Sequence, residues 1–242
     1  MSLNLLNADG RVLFVSGAAG GIGRALQELY LAAGGCVAAF DRTAAPARER
    51  VLALTGDAAN ETDVTHAVRA ALDQYGRIDA FVHGAGVVGP GDLSEIGPAD
   101  WRSVIDANLT SAFLFSRALG PALRESRGAV VFFGSVNGVH GGSAVSGPAY
   151  ATAKAGLANL GRYLAKEWAP DVRVNTVIAG PVNTPMLDRL SPETLAAVRK
   201  AMLTSALIEP EEAAAAAAYL LSDHARSITG ASLNLSGGLV LD

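Results

Sequence analysis

The segment YATAK, residues 150–154, sets a tyrosine and a lysine four positions apart among small residues that carry no other charge. Positions i and i+4 share one face of a helix, so the Lys154 ammonium can stand beside the Tyr150 phenol. A free phenol titrates near pH ~10, which makes it a usable acid at neutral pH and a poor base. A neighbouring cation favours phenolate and brings the phenol toward the working range. The pair is therefore able to pass a proton to or from an oxygen atom. Taken alone, the same two residues would equally suit any solvated helix.

A second segment of chemical interest is SGAAGGIG, Ser16 to Gly23. Gly17, Gly21 and Gly23 permit a tight turn and a close backbone approach. The helix that begins at Ile22 offers free N–H groups and a positive dipole end to a pyrophosphate. Glycines alone say little; their place between a strand and a helix, with an acid closing the next strand, says more. That acid, Asp41, follows Gly23 at the spacing at which a carboxylate takes the adenosine ribose hydroxyls of a dinucleotide. A carboxylate there repels a 2′-phosphate and favours NAD over NADP. Arg42 argues the other way, since a guanidinium pairs with phosphate. Gly20 leaves no second cation inside the turn, so Asp41 should prevail. Asp57, after the third strand, could hydrogen-bond the adenine amino group or cap the helix that follows.

These groups need a scaffold. Short apolar runs at Arg11–Gly17, Cys36–Asp41, within Arg50–Asp57, at Asp79–Gly86, Gly128–Ser135 and Val172–Gly180, and a closing ASLNLSGG, read as strands. Helical patterns alternate with them: Ile22–Gly34, a helix from Glu61 with Val64, Ala67, Val68, Ala71 and Leu72 on one face, a long helix around Ala99–Leu119, the YATAK helix and Pro210–Asp223. Continuous apolar strands separated by helices predict an α/β fold, a Rossmann-type doubly wound parallel sheet of about seven strands. With no linker or composition break, residues 1–242 are expected to form a single domain. The interval from Arg42 to Arg50 is too short for a crossover helix and predicts a brief turn or a stunted helix.

Composition narrows the function classes. Half of the 242 residues are hydrophobic and 17% charged, which argues against disorder. The 19 basic and 23 acidic residues are scattered, with no stripe suited to nucleic acid. Cys36 is the sole cysteine, which excludes an internal disulfide and a cysteine zinc cage; it is expected to be a buried structural thiol. No metal site is expected. The first residues lack the pattern of a signal peptide, and the longest uncharged region, Gly128 to Tyr150, is broken by glycines. A soluble cytoplasmic protein without a membrane partner is the expectation.

With glycine turn, acid and YATAK on one chain, the sequence resembles the classical short-chain dehydrogenases/reductases over essentially its whole length. The matching segments run in family order: SGAAGGIG, HGAG, IDANL, GSVNG, YATAK, AGPVNTPM and TGASLNLSGG. The resemblance implies that Tyr150 is the general acid/base and that Lys154 tunes it and also bonds the nicotinamide ribose, so both border the cofactor. It implies that Ser135 hydrogen-bonds the substrate oxygen, with Ser143 and Ser146 as lesser substitutes; Ser135 could otherwise serve a turn. Asn108 would position a water linking Lys154 to solvent; without that role it is a mid-helix residue of poor propensity. Gly84, Ala85 and Gly86 would let backbone approach the cofactor, and Pro181, Val182 and Thr184 would wrap the nicotinamide amide. Residues 183–207 would form a lid carrying apolar Met186, Leu187, Leu190, Met202 and Leu203, with His140 and Val87–Leu93 as pocket walls. His83-Gly84 stands where the family usually has Asn-Asn, so His83 is read as a structural substitute, and Ser16 replaces the more usual Thr.

The implied activity is NAD(H)-dependent interconversion of a secondary alcohol and a ketone, on a small substrate with an apolar portion, by a homotetramer whose long fourth and fifth helices pair. One alternative is an NADPH-dependent 3-oxoacyl thioester reductase, for which Arg117, Arg124 and Arg127 could greet an acidic carrier. Another is a non-catalytic dinucleotide-binding regulator, a class that often loses the Tyr or Lys kept here.

Overall fold

The computed structural model describes residues 6–43, 48–89 and 91–241. Seven strands form one parallel sheet: β1 (Val12–Ser16), β2 (Cys36–Asp41), β3 (Val51–Thr55), β4 (Ala80–His83), β5 (Ala129–Ser135), β6 (Arg173–Ala179) and β7 (Ser232–Leu235). Their spatial order is β3-β2-β1-β4-β5-β6-β7. The helices are α1 (Gly21–Ala32), α2 (Glu61–Tyr75), α3 (Pro98–Ile105), α4 (Ser111–Ser126), α5 (Asn137–His140), α6 (Pro148–Glu167), α7 (Pro192–Ala201) and α8 (Pro210–Leu221).

The period of two along each strand divides the core. Leu13, Val15, Val37 and Val131 face α1 and α8, where Ala213, Ala214, Ala217 and Ala218 are buried and let the two helices lie close together. Val12, Phe14, Phe81 and Phe132 face the other way, against α2, α4 and α6. The strand order reverses between β1 and β4, which opens a crevice at the carboxyl ends of the strands, where ligands bind in this architecture.

Several local expectations change. The helix expected at Ala99–Leu119 is longer and is not uniform: α3 passes through a π-helical segment, Asp106–Thr110, into α4, which runs to Ser126 with Pro121 inside it. Two short helices, α5 and α7, were not foreseen in the segments after β5 and β6. The α2 cap is Asn60, whose side chain accepts from the N–H groups of Thr62 and Asp63, so Asp57 is not the capping residue. Cys36 is half-buried rather than fully buried. The turn expected between Asp41 and β3 falls in part on residues 44–47, outside the described residues; beyond it Arg48 bridges Val51 and its guanidinium pairs with Glu28 of α1. Among the described residues no helix is long and apolar enough to cross a membrane, and no group of His, Cys, Asp or Glu could hold a metal ion.

Candidate functional site

The sheet delivers Ser16, Asp41, His83, Ser135 and Ala179 to the crevice as the last residues of five strands. At the β1–α1 turn, Gly17 has φ +78°, and a Cβ there would lie 2.6 Å from the backbone nitrogen of Ala85. Only glycine allows this turn to pack against the Gly84–Ala85 backbone. Gly20 caps α1 with no side-chain hydrogen bond, leaving the first N–H groups of α1, at Gly21, Ile22 and Gly23, for an external acceptor. The Asp41 carboxylate reaches across to this turn: Oδ2 accepts from Ala19 N–H at 2.9 Å and Oδ1 from Thr43 N–H at 3.2 Å. Arg42 pairs with Asp57 at 3.1 Å. The backbone N–H of Ala59, and then Arg42, hold the Asp57 carboxyl below its ordinary range.

His83 shows how the crevice floor is braced. Its ring is fully buried, 2.8 Å from Ser16 Oγ through Nδ1 and 3.2 Å from the Asn108 carbonyl through Nε2. A carbonyl can only accept, so Nε2 carries the proton and Nδ1 accepts from Ser16. Burial, with Lys154 as a lesser influence, pushes the His83 pKa down to about 3, so the ring stays neutral. It joins β1, β4 and the π segment, a structural part as the sequence suggested. The unfolded chain binds a proton at this histidine below pH ~6.5 and the native state does not until about 3, so stability falls as pH drops through that window. We expect a loss of about 2 kcal/mol by pH ~5 from this residue. In His83→Asn the urea midpoint should vary less between pH ~7 and ~5 than in wild type; equal slopes would refute the assignment.

The π segment accounts for Asn108. The extra residue in the turn sets its side chain so that Nδ2 donates to the carbonyls of Val104 and Val87, both at 2.8 Å. Its Oδ1 is buried and has no hydrogen-bond partner among the described residues. A methyl at Gly86 would overlap that oxygen and lie 3.6 Å from Lys154 Nζ, so the orphaned acceptor, the glycine and the lysine meet in one place. Such a buried oxygen calls for a water or ligand donor.

Tyr150 and Lys154 both lie on α6 and are buried, 8% and 6% exposed. Lys154 Nζ donates to the Phe133 carbonyl at 2.8 Å and stands 5.5 Å from the centroid of the Tyr150 ring. Burial brings the Lys154 pKa down to about 8. Burial also raises the Tyr150 pKa, while the Ser135 hydroxyl and, at longer range, Arg189 pull it down. The expected lowering by Lys154 is not among the influences on the phenol in this arrangement, in which the ammonium donates to the Phe133 carbonyl. Ser135 Oγ accepts from the backbone and side-chain nitrogens of Asn137, both at 3.2 Å. Ser146 is buried and bonds Asn137 and Ser143 within its own loop, which turns it away from the role of substitute.

On the far side, Val182 is buried and bridges Ile208, Ile208 N–H donates to the Pro181 carbonyl, and Thr184 Oγ1 donates to the Val182 carbonyl at 3.3 Å. The Thr184 methyl lies over Gly21, where a Cβ would come within 2.7 Å. Of the expected lid residues, Met202 and Leu207 belong to the core, whereas Met186 and Leu203 are exposed. Sequence reasoning missed Arg189, whose Nη1 donates to the Val145 carbonyl at 2.6 Å and whose charge reaches Tyr150. A single arginine in a loop carries no signal of such a contact.

The arrangement offers a phosphate cradle, a carboxylate beside it, and a buried phenol, ammonium and hydroxyl, and it fits a dinucleotide next to an oxygen that gains or loses a proton. The family model for enoyl-(acyl carrier protein) reductase matches residues 17–240. An uncharacterized short-chain type dehydrogenase/reductase of Sinorhizobium fredii is 31% identical over 248 residues, covering 96% of this chain and 98% of that one. The 3-oxoacyl-(acyl-carrier-protein) reductase FabG of Escherichia coli is 32% identical over 249 residues, covering 98% and 100%. The crystal structure of a short-chain dehydrogenase/reductase, glucose/ribitol dehydrogenase, from Brucella melitensis matches with a TM-score of 0.92 at 29% identity, covering 98% and 99%. The chain belongs to the short-chain dehydrogenases/reductases, a family of oxidoreductases that bind a nicotinamide dinucleotide.

Proposed function

We propose that the protein is an NAD(H)-dependent oxidoreductase that interconverts a secondary alcohol and a ketone. The observation that carries this reading is the buried Tyr150–Lys154 pair beside Ser135, at the same end of the sheet as the glycine turn and Asp41. Gly17, Gly21, Ile22 and Gly23 would hold the pyrophosphate, and Asp41 the adenosine ribose. The backbone of Gly84, Ala85 and Gly86, with Pro181, Val182 and Thr184, would border the nicotinamide half. When bound, the dinucleotide supplies the hydride acceptor or donor. Tyr150 moves the proton at the substrate oxygen, Ser135 donates a hydrogen bond to that oxygen, and Lys154 holds the phenol near its working range once released from Phe133. Asn108, through its free buried Oδ1, anchors a water that refills the proton at Lys154.

NAD is favoured because Asp41 faces the glycine turn while Arg42, the cation that could welcome a 2′-phosphate, is occupied by Asp57. The NADPH-dependent thioester reductase remains the second reading, supported by the names of relatives such as FabG. Against it, Arg117 pairs with Glu61 and Arg124 with Glu167, which leaves less free charge for an acidic carrier. A silent regulator fits poorly with a retained Tyr and Lys. In this account 1–242 works as one domain in the cytoplasm, with 183–207 as lid, and as a homotetramer whose exposed Phe113 on α4 and Tyr163 on α6 meet a second copy. The test is oxidation of a panel of secondary alcohols, followed as NADH absorbance. Turnover with NAD supports the reading; activity confined to NADPH and oxoacyl thioesters would replace it with the second.

A further inference from the structure

Three segments lie near the crevice at Tyr150: the described residues 87–89 and 91–93, residues 141–147 and the start of the lid, 184–190. The middle segment is held by both neighbours through adjacent carbonyls. Gly91 N–H donates to the Ala144 carbonyl at 2.8 Å, and Arg189 Nη1 donates to the Val145 carbonyl at 2.6 Å. Large apolar side chains on these segments, Leu93, Val145 and Met186, are exposed. Among the described residues Arg189, like several other arginines, has no carboxylate partner at ion-pair distance; it differs from them in its place beside the crevice. Its hydrogen-bonded partner is a neutral carbonyl, so the exposed guanidinium keeps other N–H groups of its fork for an anion.

Resting on the oxidoreductase reading above, we propose that Arg189 is the specificity-determining residue of this site and selects a substrate with an apolar body and one anionic group, a carboxylate or a phosphate. Its position on the lid, tied across the crevice to the wall five residues before Tyr150, brings the cation over the reacting end of the substrate. That its charge is felt at the phenol agrees with this placement. Closure of the lid would desolvate the pair and raise its contribution above that of an exposed ion pair.

The test uses NADH fluorescence of the protein–NADH complex titrated with pentanoate, pentanamide and pentyl phosphate, in wild type, Arg189→Ala and Arg189→Lys. We expect wild type to prefer one of the two anions over the amide by about tenfold or more, the size of a charged hydrogen bond. The preferred anion tells carboxylate from phosphate. Arg189→Ala should collapse that ratio to about twofold and Arg189→Lys should retain part of it. A ratio near one in wild type, or one that survives Arg189→Ala, overturns the inference; so does equal weakening of all three ligands, which would make Arg189 a latch alone. An NADH signal with no anion preference removes this inference only, whereas no NADH signal removes the oxidoreductase reading as well.

Discussion

Tyr150→Phe protein is expected to turn over secondary alcohols about a thousandfold more slowly than wild type at pH ~7, with NADH affinity within about fivefold. The substitution removes one oxygen from a ring that is 8% exposed and packed against Val104 and Ala149, so the shape of the site survives. What disappears is the phenol hydroxyl beside Ser135, the group assigned to exchange a proton with the substrate oxygen. Burial keeps the phenol protonated, and Ser135 and Arg189 favour the phenolate that accepts a proton in alcohol oxidation. Retention of more than a tenth of wild-type turnover would show that another group moves the proton.

Lys154→Met should lose about a hundredfold or more, for a different reason. The ammonium is buried, 5.5 Å from the phenol ring, and is held by the Phe133 carbonyl. In the proposed role Lys154, once it leaves Phe133, supplies the charge that offsets the cost of a buried phenolate, and methionine cannot. The alkaline rise of kcat/KM for alcohol oxidation should then move to higher pH by about a unit or more, and part of the lost rate should return near pH ~10. A uniform loss with an unshifted profile would mean that the lysine only holds the helix or the nucleotide.

The strands were readable because a parallel strand covered on both faces must be apolar throughout, as AVVFFGS of β5 is, with every residue buried. Tyr150 and Lys154 were readable because a spacing of four fixes their common face. The π segment was not, since one extra residue in a turn barely disturbs a hydrophobic pattern; only the poor helix former Asn108 hinted at it. Asp57 and Asn60 are both capping residue types, three positions apart, and the path of the loop decides between them. The contact between Arg189 and Val145 joins loops 44 positions apart, and no local rule encodes it. Half-burial of Cys36 follows from its place at the start of β2, near the sheet edge formed by β3, where little covers the strand ends.

The reading of this protein as an NAD(H) enzyme turns on one carboxylate, and fluorescence titration of wild type and Asp41→Ala with NADH and NADPH tests it most directly. Asp41 already accepts from the glycine turn and Arg42 is engaged by Asp57, so wild type should bind NADH at least about tenfold more tightly than NADPH. Asp41→Ala should bring that ratio close to one. Tighter binding of NADPH by wild type would contradict the account and would mean that Arg42 leaves Asp57 to take the 2′-phosphate.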